Sequence, residues 1–378
     1  MPEKVAKVAE PLRKGDLLFT GSGETPEDIG RCAAFMVDTE AYAGGDINIY
    51  RQDDNDSRFL SYCLNTPGAD QEKARMSKGQ IIVHIYKGEL RELKFPCPPL
   101  EEQRQIAAYL DHTTALIDQL IAKNEQLITL LDDQRKAIIN EAVTKGLDPK
   151  VPMKDSGIGW LGAVPEHWHA VKIKHLFDFQ SGATPSTKIP AFWNGTIPWV
   201  SSKDMKTKYL ERTEDYITEE GLANSSCSLI EPGAVIMVSR SGILQRTLPV
   251  AINKVPLVVN QDQKVLRPRG ECSAEFFYHY VKGNEPNLLR EWIKSGTTVE
   301  SIEIDTFMDH KIHLPPLKEQ DAIVAHLLGK TQGIEEAQQR AAQVKDLLAT
   351  YRQSIISEAV TGKIDLREWE PAPMSLAK

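Results

Sequence analysis

The sequence predicts an α+β protein in which two mixed α/β units are separated by a pair of long antiparallel helices of the coiled-coil kind. Three observations carry that prediction. The first is a repeat: Pro98-Pro-Leu-Glu-Glu-Gln103 returns 217 residues later as Pro315-Pro-Leu-Lys-Glu-Gln320. The match then runs without a gap to Glu141-Ala-Val-Thr144 and Glu358-Ala-Val-Thr361. The second is punctuation. Pro-Pro ends the segment before each copy, since proline lacks a donor and disfavours helix at the residue before it. The run that follows has no proline and, in the first copy, no interior glycine, as a continuous helix requires. The third is apolar spacing in steps of four and three, the seam of a coiled coil.

The expected order is a first unit at residues 1–97, a spacer helix at 98–148, a second unit at 149–313, a second spacer helix at 314–365 and a tail at 366–378. In the first helix the seam is written Ile106, Leu110, Thr113, Ile117, Leu120, Asn124, Leu127, Leu131, Gln134 and Ile138. In the second it is Ile323, Leu327, Lys330, Ile334, Ala337, Ala341, Val344, Leu348, Tyr351 and Ile355. Ile121, Ile128 and Leu130 widen the first stripe, which calls for a third surface beside the two-helix seam. Asn124, facing a small residue such as Ala341, is the candidate register-fixing polar group. At 1.5 Å per residue, ~40 residues span roughly 60 Å, so the helices can act as a spacer.

Within the second unit, Ala234–Val238, Val250–Ile252 and Leu257–Val259 read as short buried strands bounded by turns. Phe276–Val281 and Leu288–Ile293 read as two short helices. Glycine and proline between Lys145 and Gly159 mark a linker. The first unit resembles only the later part of the second. Lys14-Gly15-Asp16-Leu17-Leu18-Phe19 parallels Pro232-Gly233-Ala234-Val235-Ile236-Met237, Phe59-Leu60 falls near Phe276-Phe277, and Gly79 falls on Gly296. Nothing in the first unit answers the block from Trp160 to Asp204, so it is a shortened copy.

Composition excludes several classes. With 41% hydrophobic and 26% charged residues the chain is ordinary for a globular protein. It has no run of eighteen apolar residues, the length of a membrane span. Met1-Pro-Glu-Lys4 lacks the apolar stretch of a secretory leader, and the five scattered cysteines form no CxxC pair, so a reducing cytoplasm is expected. The net charge of −8, and 17 basic against 19 acidic residues from Asp155 to His313, argue against gripping nucleic acid by a broad basic face.

Each near-motif for catalysis or cofactor binding fails. Gly329-Lys330-Thr331 resembles the end of a phosphate loop, but Val324 stands where its first glycine belongs, and the segment lies inside a helix. Gly21-Ser-Gly-Glu-Thr-Pro26 has proline for the third glycine of a dinucleotide loop, and the repeat sets it opposite Ser239-Arg-Ser-Gly242. His310-x-x-His313 offers two metal ligands and no third nearby.

Met153-Lys-Asp-Ser-Gly-Ile-Gly-Trp-Leu-Gly-Ala-Val-Pro-Glu-His-Trp168, Ser181-Gly-Ala-Thr-Pro-Ser186 and Ile197-Pro-Trp-Val-Ser-Ser-Lys-Asp204 resemble the target recognition domain of type I restriction–modification specificity subunits. The Pro-Pro-Leu-x-Glu-Gln entry and Glu-Ala-Val-Thr exit of each helix are similar to that family's central repeats. The likeness covers residues 98–365 strongly and 1–97 weakly. It implies two target recognition domains that read the halves of a split double-stranded DNA site, with paired helices fixing the gap. It also implies a subunit without catalysis of its own, which places two adenine-methylating subunits and the restriction (motor) subunits. S-adenosylmethionine, ATP and magnesium would belong to those partners.

Specific readout needs Arg or Lys toward guanine and Asn or Gln toward adenine, while Ser, Thr and Lys meet phosphates. The candidates are Ser181, Thr184, Ser186, Thr187 and Lys188; Ser202 and Lys203; Arg240, Ser241 and Arg246; and Gln261 and Lys264. For each, a merely solvated loop is the competing explanation. Trp193 and Trp199 are expected in the core rather than stacked on bases. The alternative from another class is a structural adaptor that docks protein partners through its helices and reads no DNA. The shortened first unit leaves three readings open: weak DNA reading, reading with surface borrowed from a partner, or a structural remnant.

Overall fold

The computed structural model describes residues 10–79, 82–294 and 299–370. The chain divides into two compact units, residues 1–128 with 339–378 and residues 129–338, and each takes part of both long helices. The first unit opens with β1 (Leu17–Thr20), β2 (Ser22–Gly23), β3 (Cys32–Ala34) and β4 (Ile47–Tyr50). It continues through α1 (Ser57–Cys63), α2 (Pro67–Met76), β5 (Val83–His84) and α3 (Lys87–Leu90) to α4 (Leu100–Lys145). In the second unit come β6 (Met153–Asp155), β7 (Ala163–Pro165), β8 (His169–Lys172), α5 (Ile173–Leu176), β9 (Phe177–Ser181) and β10 (Trp193–Val200). Then follow β11 (Tyr209–Leu210), β12 (Asp215–Ile217), α6 (Glu219–Ala223), β13 (Val235–Val238), β14 (Val250–Asn253), β15 (Val258–Val259) and β16 (Gln263–Pro268). The order closes with α7 (Ala274–Trp292), α8 (Ile304–Asp309), β17 (Lys311–Leu314) and α9 (Leu317–Val360).

Both long helices begin at the leucine after Pro-Pro, and they pair antiparallel. Within the first unit Arg352 meets Asp118 at 2.9 Å and Lys345 meets Glu125 at 3.7 Å; within the second Arg135 reaches Glu335 at 4.0 Å. Partners fall along α9 as they rise along α4.

In each helix six of the ten expected seam positions face inward and the other four are displaced by one residue. Ile106 and Leu110 are buried as predicted, but the next inward position is Thr114 rather than Thr113. Ile117, Ile121, Asn124, Ile128, Leu131, Arg135 and Ile138 follow, while Leu120 and Leu127 are exposed. In α9 the inward set is Ile323, Leu327, Thr331, Ile334, Gln338, Ala341, Lys345, Leu348, Arg352 and Ile355, with Lys330, Val344 and Tyr351 outside. Each helix therefore takes two successive steps of four, an eleven-residue stretch that shifts the heptad phase. Asn124 does not fix the register: its amide donates to Leu120 O of its own helix at 2.9 Å.

The two units share one small sheet. In the first, β1 lies between β3 and β4, with Leu17 opposite Ala34 and Tyr50. In the second, β13 lies between β14 and β16, with Val235 opposite Ile252 and Leu266. All these pairings are antiparallel. A glycine at φ +96° precedes each central strand, Gly15 and Gly233, where a side chain would be strained. The second unit extends its sheet to five strands, β11-β14-β13-β16-β9. Of the two added strands, β9 lies in the Trp160–Asp204 block that the first unit lacks and β11 lies just after it. The expected strands of the second unit are present. The two expected short helices are instead one: α7 runs through Pro286, because its buried face (Phe276, Phe277, Tyr280, Val281, Asn284, Leu288, Trp292) outweighs one missing backbone hydrogen bond. Lys78 and His84 exchange backbone hydrogen bonds of 2.9 and 2.7 Å. Gly296, the proposed counterpart of Gly79, lies outside the described residues.

Each long helix is fastened to its own unit by the same glutamine. Gln103, buried, accepts from Asp56 N at 2.9 Å and donates to Pro98 O at 2.8 Å. Gln320, fully buried, accepts from Ser273 N at 2.9 Å and donates to Glu271 O and Pro315 O at 2.8 and 3.0 Å. Asp56 and Ser273 are the N-caps of α1 and α7, so one amide ties the beginning of each long helix to the beginning of a helix in its unit.

Candidate nucleic-acid interface

Several polar loops of the second unit converge on one segment, Val259 to Lys264. Ala183 N donates to Val259 O at 2.9 Å, and Asn260 N donates to Val200 O at 3.0 Å. Ser239 N and Arg240 N both donate to Asp262 O, at 2.8 and 3.2 Å. The exits of β9, β10 and β13 are thus lashed to a single turn. Side chains tighten the cluster: Lys264 Nζ donates to Ser181 Oγ at 2.6 Å, and the Thr184 hydroxyl donates to Gln261 Oε1.

Gly182 makes the approach possible. A Cβ there would stand 2.1 Å from Val259 O and 2.2 Å from Asn260 O, both backbone atoms that cannot swing aside. The indole N–H groups of Trp193 and Trp199 donate to Ser186 O and Ala183 O, each at 3.2 Å, and the rings meet edge to face at 5.1 Å. Trp199 is buried as expected and Trp193 half-buried. Their function is to pin the loop that carries Ser181 to Lys188.

The structure brings together Ser181, Thr184, Arg240, Gln261 and Lys264, with Ser186, Thr187 and Lys188 exposed on the same excursion. Others are placed differently. Ser202 and Lys203 lie in the 3-10 turn Ser202–Asp204. Lys203 sits 3.0 Å from both Glu214 and Asp215, which raise its pKa and already balance its charge. The Ser241 hydroxyl accepts from Ile243 N and caps the turn Gly242–Gln245. Arg246 ends that turn and shares a surface pocket with Lys136, Asn140, Lys282 and Glu285, a grouping separate from the Val259–Lys264 segment.

Three features were not read from the sequence. Gly182 is one, because its close approach is visible only in coordinates. Gln263 is another: its side chain is fully buried, and neither amide atom has a partner among the described residues. The third is a charged cluster beneath β11. Lys208 Nζ lies 2.8 Å from Glu275 and 3.1 Å from His279 Nε2. Burial, reinforced by the Lys208 charge, pushes the His279 pKa down to about 3, so the ring is neutral and accepts from the ammonium.

The two histidines do not form a metal site. His310 is clamped between Tyr280 OH and Glu291, each at 3.0 Å, while His313 Nε2 meets Ser156 O at 3.0 Å. Among the described residues no group of three His, Cys, Asp or Glu could hold a metal ion, and no helix is long and apolar enough to cross a membrane.

This architecture and these loops place the chain in the family of the type I restriction modification DNA specificity domain, whose model matches residues 7–130 and 165–345; the chain belongs to that family. Among its relatives, the EcoR124I/EcoR124II specificity subunit of Escherichia coli is 32% identical over 72% of this chain. The MjaVIII specificity subunit of Methanocaldococcus jannaschii is 26% identical over 82%. The matched stretch spans 63% of the first relative and 71% of the second. A solved structure of a type I R-M system superposes with a TM-score of 0.70 at 19% identity, covering 94% of this chain and 84% of that one, and so shares its fold.

Proposed function

We propose that this chain is the DNA specificity subunit of a type I restriction–modification complex and that its second unit reads one half of a split site. The observation that carries the proposal is the convergence of several polar loops on Val259–Lys264 within a DNA specificity domain. Arg240, Lys264 and Gln261 supply groups suited to base edges, and Ser181, Thr184 and Lys188 groups suited to phosphates. The subunit has no catalysis of its own. Two methyltransferase subunits and the restriction subunits assemble on it, and S-adenosylmethionine, ATP and magnesium act in those partners, in the cytoplasm. The near-neutral charge of the second unit fits a reader that depends on its partners for affinity.

The test is retention of pooled random duplexes in a gel shift with and without the methyltransferase subunits. Sequence-selective retention with the partner supports the proposal. No selective retention under either condition overturns it in favour of a protein-docking adaptor. Methylome sequencing of the host then shows whether the modified motif has two halves.

A further inference from the structure

Around the turn at residues 260–263 of the second unit lies a set of buried polar side chains. Ser201 Oγ donates to Asp204 Oδ2 at 2.9 Å, Ser239 Oγ donates to Asp262 O at 2.9 Å, and Asn260 Oδ1 accepts from Asp262 N at 3.1 Å. Gln263 is the exception. It opens β16 opposite Val238 of β13, and strand alternation sets it with Val265 on the face away from Lys264 and Ser181. Its side chain is fully buried, and neither Nε2 nor Oε1 has a partner among the described residues.

An amide buried in this way has given up its bonds to water and gained none in return, a cost that a leucine of similar volume does not carry. Unsatisfied polar groups in an otherwise consistent core belong to places where function recovers the cost. Here the place is the end of the sheet on which the polar loops converge. The bond that closes the turn, Gln263 N to Asn260 O, is long at 3.3 Å, whereas Asp262 O beside it accepts from Ser239 N, Arg240 N and Ser239 Oγ. The turn is thus anchored at Asp262 and loosely shut at Gln263.

We propose that Gln263 is a specificity-determining residue, buried in the free protein and turned outward when DNA docks on the second unit. The turn opens at its long bond, and the amide meets N6 and N7 of an adenine in the major groove, the bidentate pair that glutamine makes. The inference rests on the second unit reading DNA. The unsatisfied amide raises the closed turn relative to an open one in which water or a base bonds it, so opening is easier than with an apolar residue there. Adenine alone among the four bases sets an acceptor beside a donor on its major-groove edge, so a wrong base leaves the amide unpaired.

The variant that tests this is Gln263→Leu. In the full chain without DNA, hydrogen exchange at the amides of residues 260 and 262 should slow ~10-fold and the melting temperature should not fall, because the closed state loses an unsatisfied group. With the methyltransferase subunits present, the selected duplex is then made with 7-deazaadenine, which lacks the N7 acceptor, at one adenine at a time. The native complex should lose ~10-fold in affinity at one adenine, and the Gln263→Leu complex should neither prefer that adenine nor respond to its replacement. A variant that melts lower, or exchanges no more slowly, overturns the proposal, since the amide would then support the closed turn, as it would through a buried water. Base preferences that survive in the variant, at native or at uniformly lower affinity, overturn it too and leave reading by the rest of the unit standing. No selective retention by the native complex overturns the proposal together with the reading it rests on.

Discussion

Replacing Gln320 by leucine should selectively destabilise the second unit. The substitution removes one acceptor and two donor bonds of 2.8–3.0 Å and leaves the Ser273 N–H and the Glu271 and Pro315 carbonyls without that partner in a fully buried place. A buried polar group left unsatisfied costs ~1–3 kcal/mol. The three groups share one side chain and are not additive, so the loss should be ~2–5 kcal/mol. For a domain of this size that corresponds to a fall in Tm of ~5–15 °C. Five of the six tryptophans (Trp160, Trp168, Trp193, Trp199, Trp292) lie in the second unit, so fluorescence-monitored unfolding reports on it directly. Gln320→Glu separates hydrogen bonding from packing. Its carboxylate keeps the acceptor for Ser273 N–H but sets an acceptor against two carbonyls, so its deficit should shrink as acid protonates it. A Gln320→Leu protein melting within ~1 °C of the native one would refute the reasoning, for the clasp would then carry no net stability.

Gly182→Ala should abolish sequence-selective DNA retention and also lower the melting temperature, because the 2.1 Å clash falls on the backbone of Val259, a core residue at the start of the segment on which the loops converge; intact retention would remove the β9 exit from the interface. Arg240→Ala should cost ~1–3 kcal/mol at one base position, whereas Arg246→Ala should weaken all sequences alike and flatten the salt dependence, as read by titration at several ionic strengths. The second unit should lose stability in acid. Its His279 binds a proton less readily folded than unfolded, so the unfolded state gains that proton first as pH falls below 6.5, and the loss runs on toward about 3. His279→Gln should reduce the slope of stability against pH in that window by up to ~1.4 kcal/mol per pH unit. Ile121→Ser should destabilise the first unit by ~1–3 kcal/mol and Leu120→Ser by less than ~0.5, as measured by urea unfolding.

Much of the architecture was legible because it rests on local signals. Pro-Pro sets the start of both helices, and runs such as Val235–Val238 have no polar residue to offer a solvent face. What misled were ties between equally apolar neighbours. Leu120 and Ile121, or Leu127 and Ile128, satisfy a heptad equally well, and only the extra step of four at Leu110–Thr114 decides between them. Pro286 misled in the other direction, since a local breaker was overruled by burial on both sides of it. The candidate loops were visible as polar stretches after strands. Their convergence on Val259–Lys264 was not, because it depends on backbone bonds between residues far apart in sequence and on a glycine whose need is purely spatial. Lys203 shows the limit of reading charge from sequence: the Glu214 and Asp215 that neutralise it come from β12 and its approach.

The features that the two units share and the features that they do not share divide along function. Both keep the three-stranded sheet, the N-capped helix and the buried glutamine that fastens that cap to the long helix. Among the described residues only the second has the outer strand β9 and the loop that follows it, which in that unit carries Ser181, Thr184 and Lys188. Fastening to the long helix is therefore built into both units, whereas the proposed reading surface is complete in one. Assembly and reading should then be separable at the first unit. Gln103→Leu should weaken its hold on α4, detectable as faster hydrogen exchange at residues 57–63. Tyr50→Asp, at an exposed position of β4, should leave that exchange unchanged. If both substitutions loosened α1 equally, the clasp and the exposed edge of β4 would be one structural device, and the division proposed between them would fail.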